Sequence, residues 1–378
     1  AGREFQREVA VSAHRQAADV LVVGGGIVGL SCAVALLERG VRVTVCSDHR
    51  RGEASPAAAG MLAPGVERAR DGAARFSEAA RDRYPAFLAA LEEASGIRVP
   101  LLRNGILQVA LTEPQGDALR ADLPEGARWL DRGELAALET ALAGAVGACF
   151  HPHDGAVDNV MLVEALERRV ERDPRAALVR GAVREILPRA PRPAARLAGG
   201  ELLEGDAIVL AAGAWAGAIR GVPRALPVAP VRGQMLALDA VPLRHVTYGP
   251  GGYVVPRGGA TIAGSTMENV GFEVGTTDAG MRAIERTVAT ICPPLAHAPR
   301  RASWSGLRPV TPDLHPIIGA DPECPTLFYA CGHSRNGILL APLTGDCIAA
   351  LVTGAEPPQD VRPFAVTRFA GSAASDPG

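Results

Sequence analysis

The sequence predicts a mixed fold, in which an α/β part with a parallel sheet is joined to an α+β part with a large antiparallel sheet. A glycine-rich turn lies inside a strand–helix–strand pattern near the start, at 18–46. Two further apolar strands, near 207–213 and 326–332, also run into glycine turns. Between 230 and 268, short strands are punctuated by Gly and Pro, as in antiparallel sheets. A chain of 378 residues accommodates one large or two medium domains.

Composition excludes several classes of function. The net charge of −2 and the pI near 6.5 predict no general attraction to nucleic acid or to anionic membranes. All 39 basic residues are Arg, so a P-loop lysine, a Schiff-base lysine and a lysine general base are absent. The seven cysteines are scattered without a CxxC pair, which favours buried thiols in a reducing cytoplasm over a disulfide framework or a zinc site.

The first strand–turn–helix unit carries the clearest chemical signal. Residues 18–23 form a continuously apolar strand, a helix is predicted from Ile27 to Arg39, and a second strand from Val41 to Cys46. The turn between them has the G-x-G-x-x-G spacing. Its glycines would make the tight turn, admit a pyrophosphate and pack the helix on the strand, while the helix N-terminus attracts phosphate. The pattern predicts a dinucleotide site, with a purely structural turn as the alternative; the residues are Gly24, Gly26, Ile27, Val28 and Gly29.

The end of the second strand departs from the usual pattern of such sites. An acidic residue is expected there to bind a ribose hydroxyl, but Ser47 occupies the position and Asp48 follows it. Asp48 could bind the ribose after a small shift of the chain. It could equally be a solvated loop residue.

Two later elements point to the same nucleotide. An alternating strand is predicted around Val183, and a buried strand from Ala207 to Leu210 leads into Ala212, Gly213 and Trp215. Near the end, Thr326–Ala330 is followed by "GHSRNG" and by a helix over 338–352. NAD domains usually occupy one contiguous block, so a site assembled from both ends of the chain favours FAD.

The remaining segments carry fewer signals. The stretch "ERARDGAARFSEAARDRYPAFLAALEEAS" predicts a helix interrupted at Pro85. The first sixteen residues lack the apolar stretch of a signal peptide and are expected to be an extension, and the last residues a disordered tail. No apolar run reaches the length of a membrane span.

Several stretches together resemble the D-amino-acid oxidase superfamily, and within it the glycine oxidases of thiamin biosynthesis. They are "VVGGGIVGL", "SPAAAGMLAP", "VRGQML", "GYVVPRGG", "IAGSTME", "WSGLRPVTPDLHPIIG" and "GHSRNGILLAPLTG". The resemblance implies a Rossmann-like FAD-binding domain and a substrate domain built on a large antiparallel sheet. The expected segments are 17–92, 150–228 and 303–366 for the first domain, 93–149 and 229–302 for the second, and 1–16 and 367–378 as extensions.

The resemblance also assigns residues to the cofactor. The last helix would aim its N-terminus at the flavin pyrimidine ring, where negative charge accumulates on reduction. His333 is expected to pack and hydrogen-bond rather than to act as a base. Residues implied beside the pyrophosphate and the flavin are Ser55, Ala58, Ala59, Gly60, Met61, Arg308, His333, Arg335, Asn336, Gly337, Ile338 and Leu339.

The substrate site implied by the resemblance centres on a carboxylate clamp. Arg308 matches the family's carboxylate-binding arginine, with an ion pair to Asp313 as the alternative. Tyr253 matches a tyrosine that helps to hold the carboxylate, although a core aromatic would have the same spacing. Met61 and Met267 match apolar pocket positions, where a place in the core is the alternative. Arg335 would lie beside the substrate.

The activity implied is FAD-dependent oxidation of the C–N bond of glycine or an N-substituted glycine. Hydride transfer to flavin would give glyoxylate, an amine or ammonia, and hydrogen peroxide. A D-amino-acid oxidase, a sarcosine oxidase and a dehydrogenase with a quinone or protein acceptor remain alternatives. No Cys lies between Pro293 and Glu323, where related enzymes attach flavin, so FAD is expected to be non-covalent.

The partners implied are a small amino-acid substrate and oxygen. The neutral charge argues against a tRNA-modifying role, which also occurs in the superfamily. The sequence leaves open whether the chain forms a homo-oligomer.

Ser334 is the most distinctive departure from the family pattern. Members commonly carry Phe or Tyr between the His and the Arg of this motif. A serine there would either enlarge the substrate pocket beside Arg335 or reflect local repacking. An enlarged pocket predicts a preference for a bulky N-substituent on the substrate.

Overall fold

The computed structural model describes residues 18–68 and 71–369, which form two large sheets and a layer of helices. Within these residues, the strands are β1 (Ala18–Val23), β2 (Val43–Ser47), β3 (Met61–Leu62), β4 (Leu101–Leu102), β5 (Ile106–Ala110), β6 (Arg128–Asp131), β7 (Gly147–His151), β8 (Gly155–Val157), β9 (Ala176–Arg180), β10 (Val183–Leu187), β11 (Ala194–Leu197), β12 (Leu202–Leu210), β13 (Ala229–Leu238), β14 (Val246–Gly249), β15 (Gly252–Arg257), β16 (Ala260–Gly264), β17 (Arg300–Val310), β18 (Ile317–Asp321) and β19 (Cys324–Cys331).

The longer helices come from both ends and from the middle of the chain, and short 3-10 turns connect other elements. The α-helices of the described residues are α1 (Ile27–Glu38), α2 (Ala54–Ala57), α3 (Pro64–Glu67), α4 (Asp71–Ser95), α5 (Glu113–Ala121), α6 (Arg132–Leu138), α7 (Asn159–Glu171), α8 (Asp278–Ile291) and α9 (Gly337–Val352).

The first sheet brings the two ends of the chain together. Its parallel core has the order β19-β12-β1-β2-β9. β10 and β11 extend it antiparallel beside β12, and β18 pairs antiparallel with β19. Parallel strands end at the same edge, so the turns that follow β1, β12 and β19 are neighbours. This is the convergence of glycine turns that the sequence predicts.

The predicted bounds of this sheet need modest corrections. The strand predicted at 41–46 is β2, at 43–47, and the strand predicted at 207–210 is the end of the longer β12. The alternating strand predicted around Val183 is present as β10, and the residues before it form a separate strand, β9. The reason is a change of partner: Gly181 still donates to Ser47 beside β2, whereas Val183 is paired with Leu197 of β11.

The interruption predicted at Pro85 is also wrong, because α4 runs unbroken from Asp71 to Ser95. A proline inside a helix costs about 3 kcal/mol. Four buried side chains on this helix offset that cost, since each contributes about 1.5–3 kcal/mol when fully buried. They are Phe76, Tyr84, Phe87 and Leu91.

The helix layer fixes the position of α9. α1 is buried almost throughout because it lies between the first sheet and the neighbouring helices α7 and α9. A Cβ at Gly345 of α9 would lie 2.6 Å from the carbonyl oxygen of Ser31 in α1. The glycine therefore allows the two helices to cross closely, and both helices begin at the same edge of the sheet.

The second sheet has the order β17-β13-β16-β15-β14-β5-β7-β6. It is antiparallel except for the pair β14–β5, and α8 packs against it. The mixed fold class with large sheets is confirmed. The division into domains stays a prediction, and two strands of this sheet, β7 and β17, run across its expected boundaries at 150 and 303.

The predicted extensions, 1–16 and 367–378, lie outside the described residues except for 367–369, which end a short 3-10 turn. Within the described ranges, the structure contains no helix long and apolar enough to cross a membrane.

Candidate functional site

A cavity of about 500 Å³ opens where the edge of the first sheet meets the second sheet. The β1–α1 turn, the segment after β2, the end of β12, the β19–α9 turn and strands β13, β14, β15 and β17 of the second sheet all border it. Of the residues that the sequence singles out, those that line it are Gly24, Gly26, Ile27, Val28, Ser47, Asp48, Ser55, Ala58, Ala59, Gly60, Met61, Val183, Ala212, Gly213, Trp215, Tyr253, Met267, Arg308, His333, Ser334, Arg335, Asn336, Gly337 and Ile338.

Two of the singled-out residues do not line the cavity. A Cβ at Gly29 would lie 1.9 Å from the carbonyl oxygen of Gly24, so this glycine lets α1 pack on the turn. The side chain of Leu339 is buried among the helices. Only the backbone N–H of Leu339, in the first turn of α9, remains available to contact the cofactor that the sequence resemblance implies.

The β1–α1 turn leaves little room for side chains, least of all at Gly24. Gly24 has φ +119°, and a Cβ there would lie 2.2 Å from the carbonyl oxygen of Ala211. A Cβ at Gly26 would lie 3.2 Å from Ser55 Oγ. That hydroxyl accepts a hydrogen bond of 2.9 Å from the N–H of Ile27, which ties the loop after β2 to the start of α1. The cavity thus meets bare backbone at the positive end of a helix.

The residues after β2 border the cavity beside the β1–α1 turn. Asp48 is half-exposed and accepts a hydrogen bond of 2.6 Å from Arg50 Nε. The Arg50 guanidinium also lies 5.3 Å from the ring centre of Trp215. The role of Asp48 in ribose binding stays a prediction, and Arg50 is a cavity residue that the sequence reasoning missed.

Arg308 lies on β17 with its guanidinium held by neutral acceptors. Nη2 donates to Ser265 Oγ at 2.6 Å, and Nη1 donates to the carbonyl oxygen of Thr266 at 3.1 Å. A Cβ at Gly233 would lie 2.1 Å from Nη1, so this glycine leaves space for the side chain. Among the described residues, no carboxylate lies within 4 Å of it. The alternative of an ion pair with Asp313 is wrong, because Asp313 pairs with Arg368.

Two tyrosines face each other on the β14–β15 hairpin. The register places Tyr248 opposite Tyr253, with ring centres 5.5 Å apart. The Tyr253 hydroxyl lies 3.6 Å from Met235 Sδ, and the Tyr248 hydroxyl donates to Glu67 Oε1 at 2.9 Å. The glycine-rich turn between the two tyrosines could have revealed Tyr248 as the hairpin partner of Tyr253.

Three residues of the "GHSRNG" turn lie in different environments. His333 is buried, and its Nε2 lies 3.1 Å from Thr344 Oγ1. Burial lowers its pKa to about 3, so the imidazole stays neutral, as a packing role requires. Ser334 is buried at φ +50° and donates its backbone N–H to Pro309. Arg335 is half-exposed and forms an ion pair with Glu67.

The two methionines differ in burial. Met61 is partly buried beside the cavity. Met267 is 56% exposed, so the alternative of a core position is wrong for this residue.

The neutral state of His333 predicts its effect on acid stability. An unfolded chain binds a proton on this histidine below pH 6.5, whereas the folded chain does so only near pH 3. Stability should therefore fall with decreasing pH in this window, on the order of 1 kcal/mol per pH unit. We expect the melting temperature of His333→Gln to fall less than that of the wild type between pH 6.5 and 4.5. The exposed His297→Gln is the control, and equal slopes for His333→Gln and wild type would contradict the prediction.

The comparisons with known proteins decide the family. Residues 19–351 match the model of a family described as FAD dependent oxidoreductase. The chain belongs to this family. It is 34% identical to a glycine oxidase of Geobacillus kaustophilus, over 93% of this chain and 97% of that protein. The crystal structure of glycine oxidase from that organism superposes with a TM-score of 0.87 at 33% identity, covering 93% of this chain and 98% of the other.

A further relative is the bifunctional protein ThiO/ThiG of Nostoc sp., 35% identical over 88% of this chain. The chain spans about half the length of the ThiO/ThiG proteins that it matches. The resemblance to the glycine oxidases of the FAD-dependent family is thus confirmed.

The cavity of this family member fits a long, anionic dinucleotide. The turn at Gly24 and Gly26 leaves the backbone open, and the N-termini of α1 and α9 both begin at the same cavity. The positive ends of two helix dipoles at one cavity suit a ligand that carries an anionic group near each helix end. The residues present are therefore compatible with FAD.

A buried amide supports the loop that lines this cavity. Asn159 Nδ2 donates to the carbonyl oxygens of Ser55 and Pro56, and its Oδ1 accepts from Arg257. The sequence reasoning missed Asn159 and Arg257 because their contacts join distant segments. Asn159 holds the loop between β2 and β3 in place for the FAD-dependent site.

Proposed function

We propose that the chain is an FAD-dependent amine oxidase acting on glycine or an N-substituted glycine. The substrate, oxygen and water would be converted into glyoxylate, ammonia or an amine, and hydrogen peroxide. The electron pair and hydrogen of the α C–H bond leave the substrate, and oxygen finally accepts them. Water then cleaves the oxidised C–N bond.

The observation that best supports this proposal is the environment of the Arg308 guanidinium. Its guanidinium borders the cavity and is held by a hydroxyl and a backbone carbonyl, with no carboxylate partner among the described residues. A planar guanidinium suits bidentate binding of a carboxylate. Tyr253 lies on the same cavity and offers a hydroxyl for the same group. The pair would hold the substrate by its carboxylate and so orient its α carbon.

FAD would supply the hydride acceptor. The β1–α1 turn would hold its pyrophosphate, with Ser47 and Asp48 near the ribose. Residues 58–61 and the first turn of α9 would lie along the flavin. In this proposal, the protein contributes mainly binding and orientation.

The substrate amine would react in its neutral form. The chain has no lysine, and His333 is buried and neutral. Glu67 is engaged by Arg335 and Tyr248. None of these groups is suited to remove the amine proton, so the activity should rise with pH as the free substrate loses it.

Non-covalent FAD and a reducing cytoplasm are parts of the proposal. All seven cysteines are buried, and none of them forms a disulfide. Burial raises the pKa of Cys331, which borders the cavity, to about 12, so this thiol is a poor nucleophile.

A peroxide-coupled assay tests the proposed function. Glycine, sarcosine, N-propylglycine and D-alanine are compared across pH, with glyoxylate and the released amine quantified. Equal amounts of peroxide and glyoxylate from glycine, sarcosine or N-propylglycine, formed at a rate that rises with pH, would support the proposal. Substrate-dependent reduction of a quinone dye without peroxide would instead favour a dehydrogenase.

Ser334 yields a prediction about substrate size. If the cavity extends beside this buried serine, each methylene that the substrate buries adds about 0.8 kcal/mol. A three-carbon substituent on the nitrogen would then gain about 2.4 kcal/mol, or roughly fifty-fold in kcat/KM. We expect N-propylglycine to be oxidised better than glycine.

Two variants test this pocket. Ser334→Phe should reverse the ranking by filling the space, although its left-handed backbone adds strain. Ser334→Gly relieves that strain, keeps the space open and should preserve the ranking. A wild-type preference for glycine, or a ranking unaffected by Ser334→Phe, would refute the enlarged pocket.

A further inference from the structure

Three charged side chains border the cavity where the second sheet meets α9. Arg308 contacts only neutral acceptors, whereas Arg335 forms an ion pair with Glu67. The other charged residues of the lining, Asp48, Arg50 and Glu53, lie in the segment after β2, where Asp48 accepts from Arg50 Nε and Glu53 accepts from the Arg50 backbone N–H. This part of the cavity therefore carries one unmatched positive charge.

The carboxylate of Glu67 is engaged at both oxygens. Oε2 pairs with Arg335, and Oε1 accepts the hydroxyl of Tyr248 at 2.9 Å. Only 13% of the Glu67 side chain is exposed. Burial, together with the nearby Glu67 charge, raises the pKa of Tyr248, so its hydroxyl remains a donor. Glu67 is thus held in one position with its charge against Arg335.

We propose that Glu67 determines the charge selectivity of the pocket. By pairing with Arg335, it leaves Arg308 as the single cation for an incoming acid. The preferred substrate then has one carboxylate and an uncharged substituent on nitrogen, and a second acid group on that substituent is rejected. This inference rests on the proposed function and names the substrate class within it.

The physical basis is competition for Arg335. A second carboxylate on the substrate would have to displace Glu67 from the guanidinium or lie beside the Glu67 carboxylate. Like charges brought together at a binding site disfavour the wrong ligand. Removal of the Glu67 charge should release Arg335 as a second cation. The neutral isostere Gln retains an oxygen that can accept the Tyr248 hydroxyl.

The test uses Glu67→Gln in the purified flavoprotein with two pairs of probes. Iminodiacetate and N-propylglycine are compared as substrates. Glutarate and butyrate, which lack an oxidisable amine, are compared as ligands by calorimetry. We expect both preferences to shift toward the diacid by at least about tenfold relative to the wild type. The calorimetric Kd is a readout that does not depend on turnover.

Two further variants isolate the cause. Asp122→Asn removes an equal charge from the exposed ion pair with Arg68, outside the cavity, and should shift neither preference. Glu67→Gln combined with Arg335→Met should lose the gain for diacids. An unchanged diacid preference in Glu67→Gln, or an equal shift in Asp122→Asn, would overturn the inference. Failure of the wild type to bind butyrate or oxidise any glycine would instead refute the proposed function.

Discussion

Arg308→Ala should retain FAD but lose about 2–5 kcal/mol of substrate recognition, or roughly thirty-fold to several thousand-fold in kcat/KM. The reason is that the substrate carboxylate would enter the cavity without its bidentate partner. The side chain is held by Ser265 Oγ and the Thr266 carbonyl, which are neutral and would leave no buried charge behind. The loss should therefore fall on substrate recognition more than on folding.

The measurement is kcat/KM with the best glycine substrate, together with the visible flavin spectrum. Arg308→Lys should recover only part of the loss, because a point charge cannot form the two-pronged contact. Arg189→Ala, which removes an exposed arginine, serves as the matched control. An unchanged kcat/KM in Arg308→Ala would remove this residue from the substrate site.

Gly24→Ala should yield protein without bound FAD. The backbone has φ +119° at this position, which costs a side chain about 1–3 kcal/mol in strain. The added methyl would also lie 2.2 Å from the carbonyl oxygen of Ala211, a backbone atom that can move only with β12. The turn and the first helix must shift, and the exposed N–H groups that would receive the pyrophosphate shift with them.

The ratio of absorbance at 450 nm to that at 280 nm measures FAD retention, and the melting temperature measures folding. Gly144→Ala is the control, since its added methyl meets nothing within 4 Å. The methyl group added in Gly26→Ala would contact only the Ser55 hydroxyl, which can move. This variant should therefore fold, but it should bind FAD more weakly than the wild type. Full retention of FAD by Gly24→Ala would be inconsistent with a pyrophosphate site at this turn.

The sequence predicted the elements whose signals are local. The first strand matches at 18–23, and the first helix begins at Ile27 as expected. Apolar runs and glycines act within a few residues of one another, so the pattern suffices there. The unbroken α4 shows the opposite case, in which the packing of Tyr84 and its neighbours against other helices overrides the local effect of Pro85.

In the candidate site, too, residues with local sequence signals could be predicted and residues with long-range contacts could not. Residues in motifs, such as Arg308 and His333, were found because neighbouring letters identify them. Glu67 was missed because its partner, Arg335, is 268 residues away in the chain. Tyr248 was missed as well, although the hairpin register with Tyr253 carried a usable signal. Ion pairs between distant segments leave no spacing pattern in a single sequence.

The most direct test of the account is anaerobic mixing of the purified yellow protein with N-propylglycine or glycine. We expect the absorbance near 450 nm to be lost and one glyoxylate to form per FAD, and we expect admission of oxygen to restore the colour with release of peroxide. A protein that retains FAD and keeps its oxidised spectrum with every glycine tested would contradict the account.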